Sequence, residues 1–214
     1  MRAVVHSANA FTRWTHARRA SVYSAGFSLI EVLVAVVLFS FGVLGVVGLQ
    51  TAALRSHQEA QHQTTGLQLA RELAEMVRDN RAVGARTLDN PYIGSFVAHT
   101  SGGMGPAAAS YCLAVGAACA QAQALASAHM TQWLDQVAHA LPAARVVTCF
   151  DDAPYDPSGL PRWACPTDPP VGAPFVIKMG WRRLALGLSS TGLPALEFAT
   201  QPGSAPIVVL PLTL

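Results

Sequence analysis

Hydrophobic and polar positions divide the chain into an apolar run, a stretch with helical spacing and an end rich in extended signals. From Phe27 to Leu49 the residues are nearly all apolar, and Glu31 is the single charge among them. A helix needs about 20 such residues to cross a bilayer, so this run suffices. Polar residues begin at Gln50-Thr51, but no proline intervenes before Pro91. Apolar side chains then recur at Leu69, Leu73, Met76 and Val77, on one face of a helix. Arg71 with Glu75, and Glu75 with Arg78, place opposite charges one turn apart. The pattern predicts one helix over residues 27–80, roughly 80 Å long at about 1.5 Å per residue. Half of it is an apolar span and half a scaffold for a domain.

Gly42, Gly45 and Gly48 recur every third residue. They read as a small-residue stripe for close helix packing, or as a place where the helix loosens, since each glycine costs ~1 kcal/mol relative to alanine. Gly66 reads as a tolerated flaw. Between residues 81 and 110, Asn90-Pro91, Gly94 and the run Ser101 to Pro106 are turn signals. The segment Gln121 to Leu141 then sets Met130, Trp133, Leu134, Val137, Ala138 and Leu141 at helical spacing before Pro142 stops it. Extended signals follow at Arg145 to Phe150, Phe175 to Leu184, Leu196 to Phe198 and Ile207 to Leu210. Prolines 154, 157, 161, 166, 169, 170 and 174 make the intervening segment a long surface loop. The fold class is therefore α+β: a long N-terminal α-helix, one short extra helix and a small C-terminal antiparallel sheet.

Charge changes this picture at the N-terminus. The formal charge of +2 includes Arg2, Arg13, Arg18 and Arg19, and residues 1–26 contain no acid. Without that segment 10 basic residues face 12 acidic ones, a count of −2, so no basic surface points to nucleic acid. By the positive-inside rule the four arginines hold the N-terminus in the cytoplasm and send the rest across the membrane. A secretory signal peptide has its small residues after the apolar region. Here Ser24-Ala25-Gly26 come before it, so the helix stays with the mature chain.

All four cysteines, Cys112, Cys119, Cys149 and Cys165, fall on the translocated side, where disulfides persist. Three pairings are open. The favoured one joins Cys112 to Cys119 and Cys149 to Cys165, because each closes a local loop. No C-x-x-C spacing supports a zinc or redox centre. His129 and His139 have no acid at ligand spacing, and the glycines near residue 103 match neither phosphate-binding pattern. Asp151, Asp152, Asp156 and Ser158 miss the calcium-loop spacing and read as a solvated turn. No nucleophile, base and orienting acid occur together, so the chain is not expected to be an enzyme, to hold a metal or other cofactor, or to take a small-molecule substrate.

Glu31 needs a reason, because an ionised side chain in an apolar span costs ~2.5–3.5 kcal/mol on insertion scales. The stretch Gly26-Phe27-Ser28-Leu29-Ile30-Glu31 resembles the leader site of type IV pilins and type II secretion pseudopilins. The resemblance implies a leader at 1–26, cleavage after Gly26 by a prepilin peptidase and methylation of the new N-terminal Phe27. It also implies that Glu31, four residues on, neutralises the amine so created, within one subunit or on a neighbour. The remainder resembles the type IV pilus modification proteins, PilV-like minor pilins. That likeness rests on Gln68-Leu69-Ala70-Arg71-Glu72-Leu73, on Cys112 and Cys119 ahead of Trp133, and on Phe175 to Trp181. It implies a pilin-like fold with a periplasmic head at 81–214, an inner-membrane location with 27–49 as the span, and low-abundance entry into a pilus. The partners implied are other minor and major pilins and, before assembly, membrane lipid. A type II secretion pseudopilin and a periplasmic enzyme or receptor on an uncleaved anchor are the alternatives.

Overall fold

The computed structural model describes residues 26–98, 111–188 and 194–214. The expected leader with its four arginines and the turn run Ser101 to Pro106 lie outside the described residues. The chain divides into two units, Met1–Gln50 and Thr51–Leu214.

Helix α1, Leu29–Asp79, is a single element of 51 residues. In the first unit every residue from Gly26 to Gln50 is exposed, Phe27 and Leu29 by more than four-fifths. This helix is long and apolar enough to cross a membrane. A surface of this kind is stable only against lipid or other apolar helices.

In the second unit, burial along α1 begins at Gly66 and continues through Leu69, Ala70, Leu73, Ala74 and Val77, one face at helical spacing. A one-turn helix α2, Arg81–Gly84, follows Asn80, whose Nδ2 donates to the Ala122 carbonyl (2.8 Å). A short 3₁₀ turn, Tyr111–Leu113, precedes helix α3, Ala122–Ala140. Trp133, fully buried on α3, donates its indole N–H to the Leu69 carbonyl (2.9 Å), which sets the depth at which α3 lies on α1.

The sheet has strand order β1 (Gly94–Val97), β2 (Arg145–Phe150), β3 (Phe175–Gly180), β6 (Val208–Leu212), with every pairing antiparallel. Strands β4 (Arg183–Leu188) and β5 (Pro194–Glu197) form a separate ribbon. Pro211 is accommodated because β6 is an edge strand. Alternation assigns the two faces. Val146, Phe175, Ile177, Met179, Val208 and Leu212 join α1 and α3 in one hydrophobic core. The other face carries Val147, Cys149, Val176, Lys178 and Gly180, and it too is buried.

The expected α+β layout stands, and three details differ. A single strand from Phe175 to Leu184 was expected, but the chain breaks at Trp181-Arg182, where the Arg182 N–H donates to the Pro142 carbonyl (2.8 Å). Residues 94–97, read as turn, form the edge strand β1; four residues between turn signals carry no period of their own, and pairing with β2 supplies the order. Gly66 is not a flaw: a Cβ there would lie 2.6 Å from the ring of Trp181, so the missing side chain lets that buried indole close on the helix.

Candidate functional site

At the start of α1, Gly26 and Phe27 precede the first helical turn, and Glu31 lies within that turn. A carboxylate there meets the positive end of the helix dipole. Phe27, Glu31, Val32, Ala35, Val36 and Phe39 line one exposed groove along the helix, with Glu31 the one charged member. No basic side chain among the described residues pairs with Glu31. An added Cβ at Gly26, Gly42, Gly45 or Gly48 would meet nothing within 4 Å. Among the described residues no side chain or backbone therefore stands where a Cβ at these positions would go.

The head has a second concentration of chemistry, on the sheet face away from the helices. Segment 151–174 covers that face. The structure joins Cys149 to Cys165, tying the end of β2 to the middle of the covering segment, and Cys112 to Cys119 ahead of α3. Beneath the cover, Lys178 of the central strand β3 is wholly buried. Its Nζ donates to Asp151 Oδ2 (2.5 Å) and to the Ala164 carbonyl (2.6 Å). The other carboxylate oxygen of Asp151 accepts from the Ala153 N–H (3.0 Å), and Arg162 Nη2 lies 3.9 Å from it. Trp163 packs on Gly180, where a Cβ would come within 2.9 Å of its ring, and the Arg145 guanidinium lies 4.4 Å above that ring. Burial lowers the Arg145 pKa.

Asp151 was expected in a solvated turn with Asp152, Asp156 and Ser158, and the structure separates them. Asp156 does hold an exposed turn: its Oδ1 accepts from the Ser158 hydroxyl (2.6 Å) and from the N–H groups of Ser158 (2.8 Å) and Leu160 (2.9 Å). Those hydrogen bonds, the Ser158 hydroxyl first, hold its carboxyl below the usual range. Asp151, in contrast, is fully buried as the lysine's partner. The lysine was missed, although the strand carried a signal for it. Phe175-Val176-Ile177-Lys178-Met179 is apolar at both parities, the pattern of a strand covered on both faces.

His129 and His139 are apart, and no group of three metal-ligating side chains forms among the described residues. His139 Nδ1 lies 2.7 Å from the Asp135 carbonyl oxygen. His129 Nδ1 lies 3.3 Å from the Tyr92 hydroxyl, which is also 3.4 Å from the Met76 carbonyl oxygen. Burial pushes the His129 pKa down, partly opposed by Asp79, and pushes the Tyr92 phenol up. Tyr92 and Asn80, neither singled out in the sequence, thus knit α1, α3 and the approach to β1 together.

Residues 23–47 match the prokaryotic N-terminal methylation motif. No curated protein and no solved structure matched the chain. The matched span contains Gly26, Phe27 and Glu31, and it ends inside the exposed apolar half of α1. With that helix, the motif makes the N-terminal segment similar to that of type IV pilins and pseudopilins.

Proposed function

We propose that this chain is a low-abundance subunit of a type IV pilus, a structural component rather than an enzyme. It is made as a precursor, cut between Gly26 and Phe27 by a prepilin peptidase and methylated on Phe27. Before assembly it is held in the inner membrane by residues 27–49, with the head on the periplasmic side. The observation that carries this reading is the methylation motif over 23–47, seated on an apolar helix whose residues 26–50 are all exposed among the described residues. Assembly supplies the missing cover: neighbouring helices pack against the exposed run, and Glu31 pairs with the terminal amine of an adjacent subunit. Two disulfides in a large head favour a pilus over a secretion pseudopilus, and the resemblance to PilV-like minor pilins supports a role in assembly initiation.

The deciding measurement is the N-terminal mass of protein recovered from the membrane. A mature chain that begins at methylated Phe27 is expected. An intact Met1 would replace this reading with that of an anchored periplasmic enzyme or receptor. In Gly26→Ala the full-length precursor is expected to accumulate, although no contact among the described residues opposes the extra methyl group. Labelling of isolated fibres against the head then separates pilus from pseudopilus.

A further inference from the structure

Lys178 is the chain's only lysine, set against 13 arginines. It stands in the middle of β3 with no exposed atom, paired on its strand's two sides with Val147 and Val209. Neither neighbour can satisfy an ammonium. Both acceptors it uses, Asp151 Oδ2 and the Ala164 carbonyl, come from segment 151–174. Ala164 immediately precedes Cys165, whose bond to Cys149 fastens that segment to the sheet. The segment's two ends are joined by the backbone bond from the Asp151 N–H to the Pro174 carbonyl (3.0 Å), and next to Ala164 the Trp163 ring packs on Gly180 and its indole N–H donates to the Ser204 hydroxyl (3.3 Å). The disulfide and the lysine therefore grip the same point of the cover from two directions. An ammonium stranded in an apolar site without acceptors is strongly disfavoured.

We infer that the Cys149–Cys165 bond is a latch that decides whether Lys178 is sealed inside the head. When both thiols are free, the cover leaves the sheet and Lys178 turns to water. When an exogenous disulfide accepts their two electrons and two protons, the S–S bond forms and the exogenous disulfide is reduced to two thiols. Asp151 and Ala164 are then held over the ammonium and the second sheet face is closed. The helix-backed face, with α1 and α3 on it, is built without the cover and is common to both forms. On the pilus reading, sealing happens only after the head has left the reducing cytoplasm, so it marks translocated subunits. The latch itself does not depend on that reading.

The single lysine makes the test direct. Full-length protein in detergent micelles, with Cys112→Ser and Cys119→Ser so that one disulfide remains, is treated with an amine-acetylating reagent before and after reduction. The peptide carrying Lys178 is quantified against the N-terminal amine, and amide hydrogen exchange of Ala122–Ala140 is followed in parallel. Oxidised protein should acetylate at Lys178 roughly 100-fold more slowly than at the N-terminus, as buried sites open rarely. Reduced protein should come within roughly threefold of it while α3 keeps its protection. Cys149→Ser/Cys165→Ser should match the reduced form. Persistent protection of Lys178 after reduction overturns the latch, because the cover then stays shut unaided. Loss of α3 protection together with Lys178 exposure also overturns it, since the bond would be a staple for the whole head.

Discussion

Helix α1 contains two carboxylate and glycine environments worth setting beside those of the head. Glu31 and Asp151 are both acids in apolar surroundings, but Asp151 has Lys178 at 2.5 Å while Glu31 pairs with no basic side chain among the described residues. Gly45 and Gly66 are both helical glycines, but Gly66 has a tryptophan ring where its Cβ would be and Gly45 has open space. In the head Asp151 and Gly66 are each answered by a neighbour in the same chain. In the apolar half of α1 no described residue supplies such an answer, and this is the stretch that the methylation motif overlies. Residues of one type in one chain thus meet a partner in one place and stand exposed in the other.

Substitution of the two acids should separate those roles most sharply. Asp151→Ala strands a buried ammonium, and removal of one partner of a buried pair costs ~3–5 kcal/mol, a large part of a typical domain's stability. Denaturant unfolding of the full chain in micelles, read by tryptophan fluorescence, should show that loss. Asp151→Leu combined with Lys178→Met should recover most of it, since the charge and its desolvation go together. Glu31→Val should leave the unfolding midpoint of the head unchanged and abolish or strongly reduce piliation. A Glu31→Val strain with normal fibres would remove the assembly role.

The glycines offer a smaller contrast. Gly66→Ala gains ~1 kcal/mol of helix propensity but drives a methyl group into a fully buried indole, an overpacking cost of ~1–3 kcal/mol. Packing should win, with a net destabilisation of about 1 kcal/mol, and more for Gly66→Leu. Gly45→Ala should leave head stability alone. If Gly66→Ala instead raised the midpoint, the close approach of Trp181 would not be what keeps glycine there.

How far these environments could be read beforehand depends on whether the signal was periodic. The second half of the helix to Asp79 and helix α3 were legible because apolar side chains repeat along one face, and that repeat is the core itself. Strand β1 was not, since four residues between turns take their order from β2. The methylation motif was legible as a local pattern around Gly26 to Glu31. The Lys178 site was not, because its members are spread from Asp151 to Lys178 and only the antiparallel register and a disulfide bring them together. A proline-rich segment reads as surface, which segment 151–174 is on one side. Its other side is the second roof of the sheet, and proline content says nothing about that.

The smallest expected effect concerns His129, a group answered by neighbours like Asp151 but only half-buried. It faces the Tyr92 hydroxyl, with Asp79 as the nearby acid. Desolvation depresses its pKa below the ordinary value of 6.5, and the aspartate only partly restores it. Between the two values the unfolded chain therefore binds more protons than the folded one, and stability falls as pH is lowered. The loss begins as pH drops through about 6.5, where the unfolded histidine titrates, and levels off below the folded value. Asp156 adds a separate loss at lower pH, as its hydrogen-bonded carboxylate is protonated. Unfolding midpoints of the wild type and His129→Gln, measured from pH 7.5 to 5, isolate the histidine. The wild type should lose stability over that range and the variant should be flatter. Parallel curves would mean that the Tyr92 contact carries no proton linkage, leaving the head's acid sensitivity to its carboxylates.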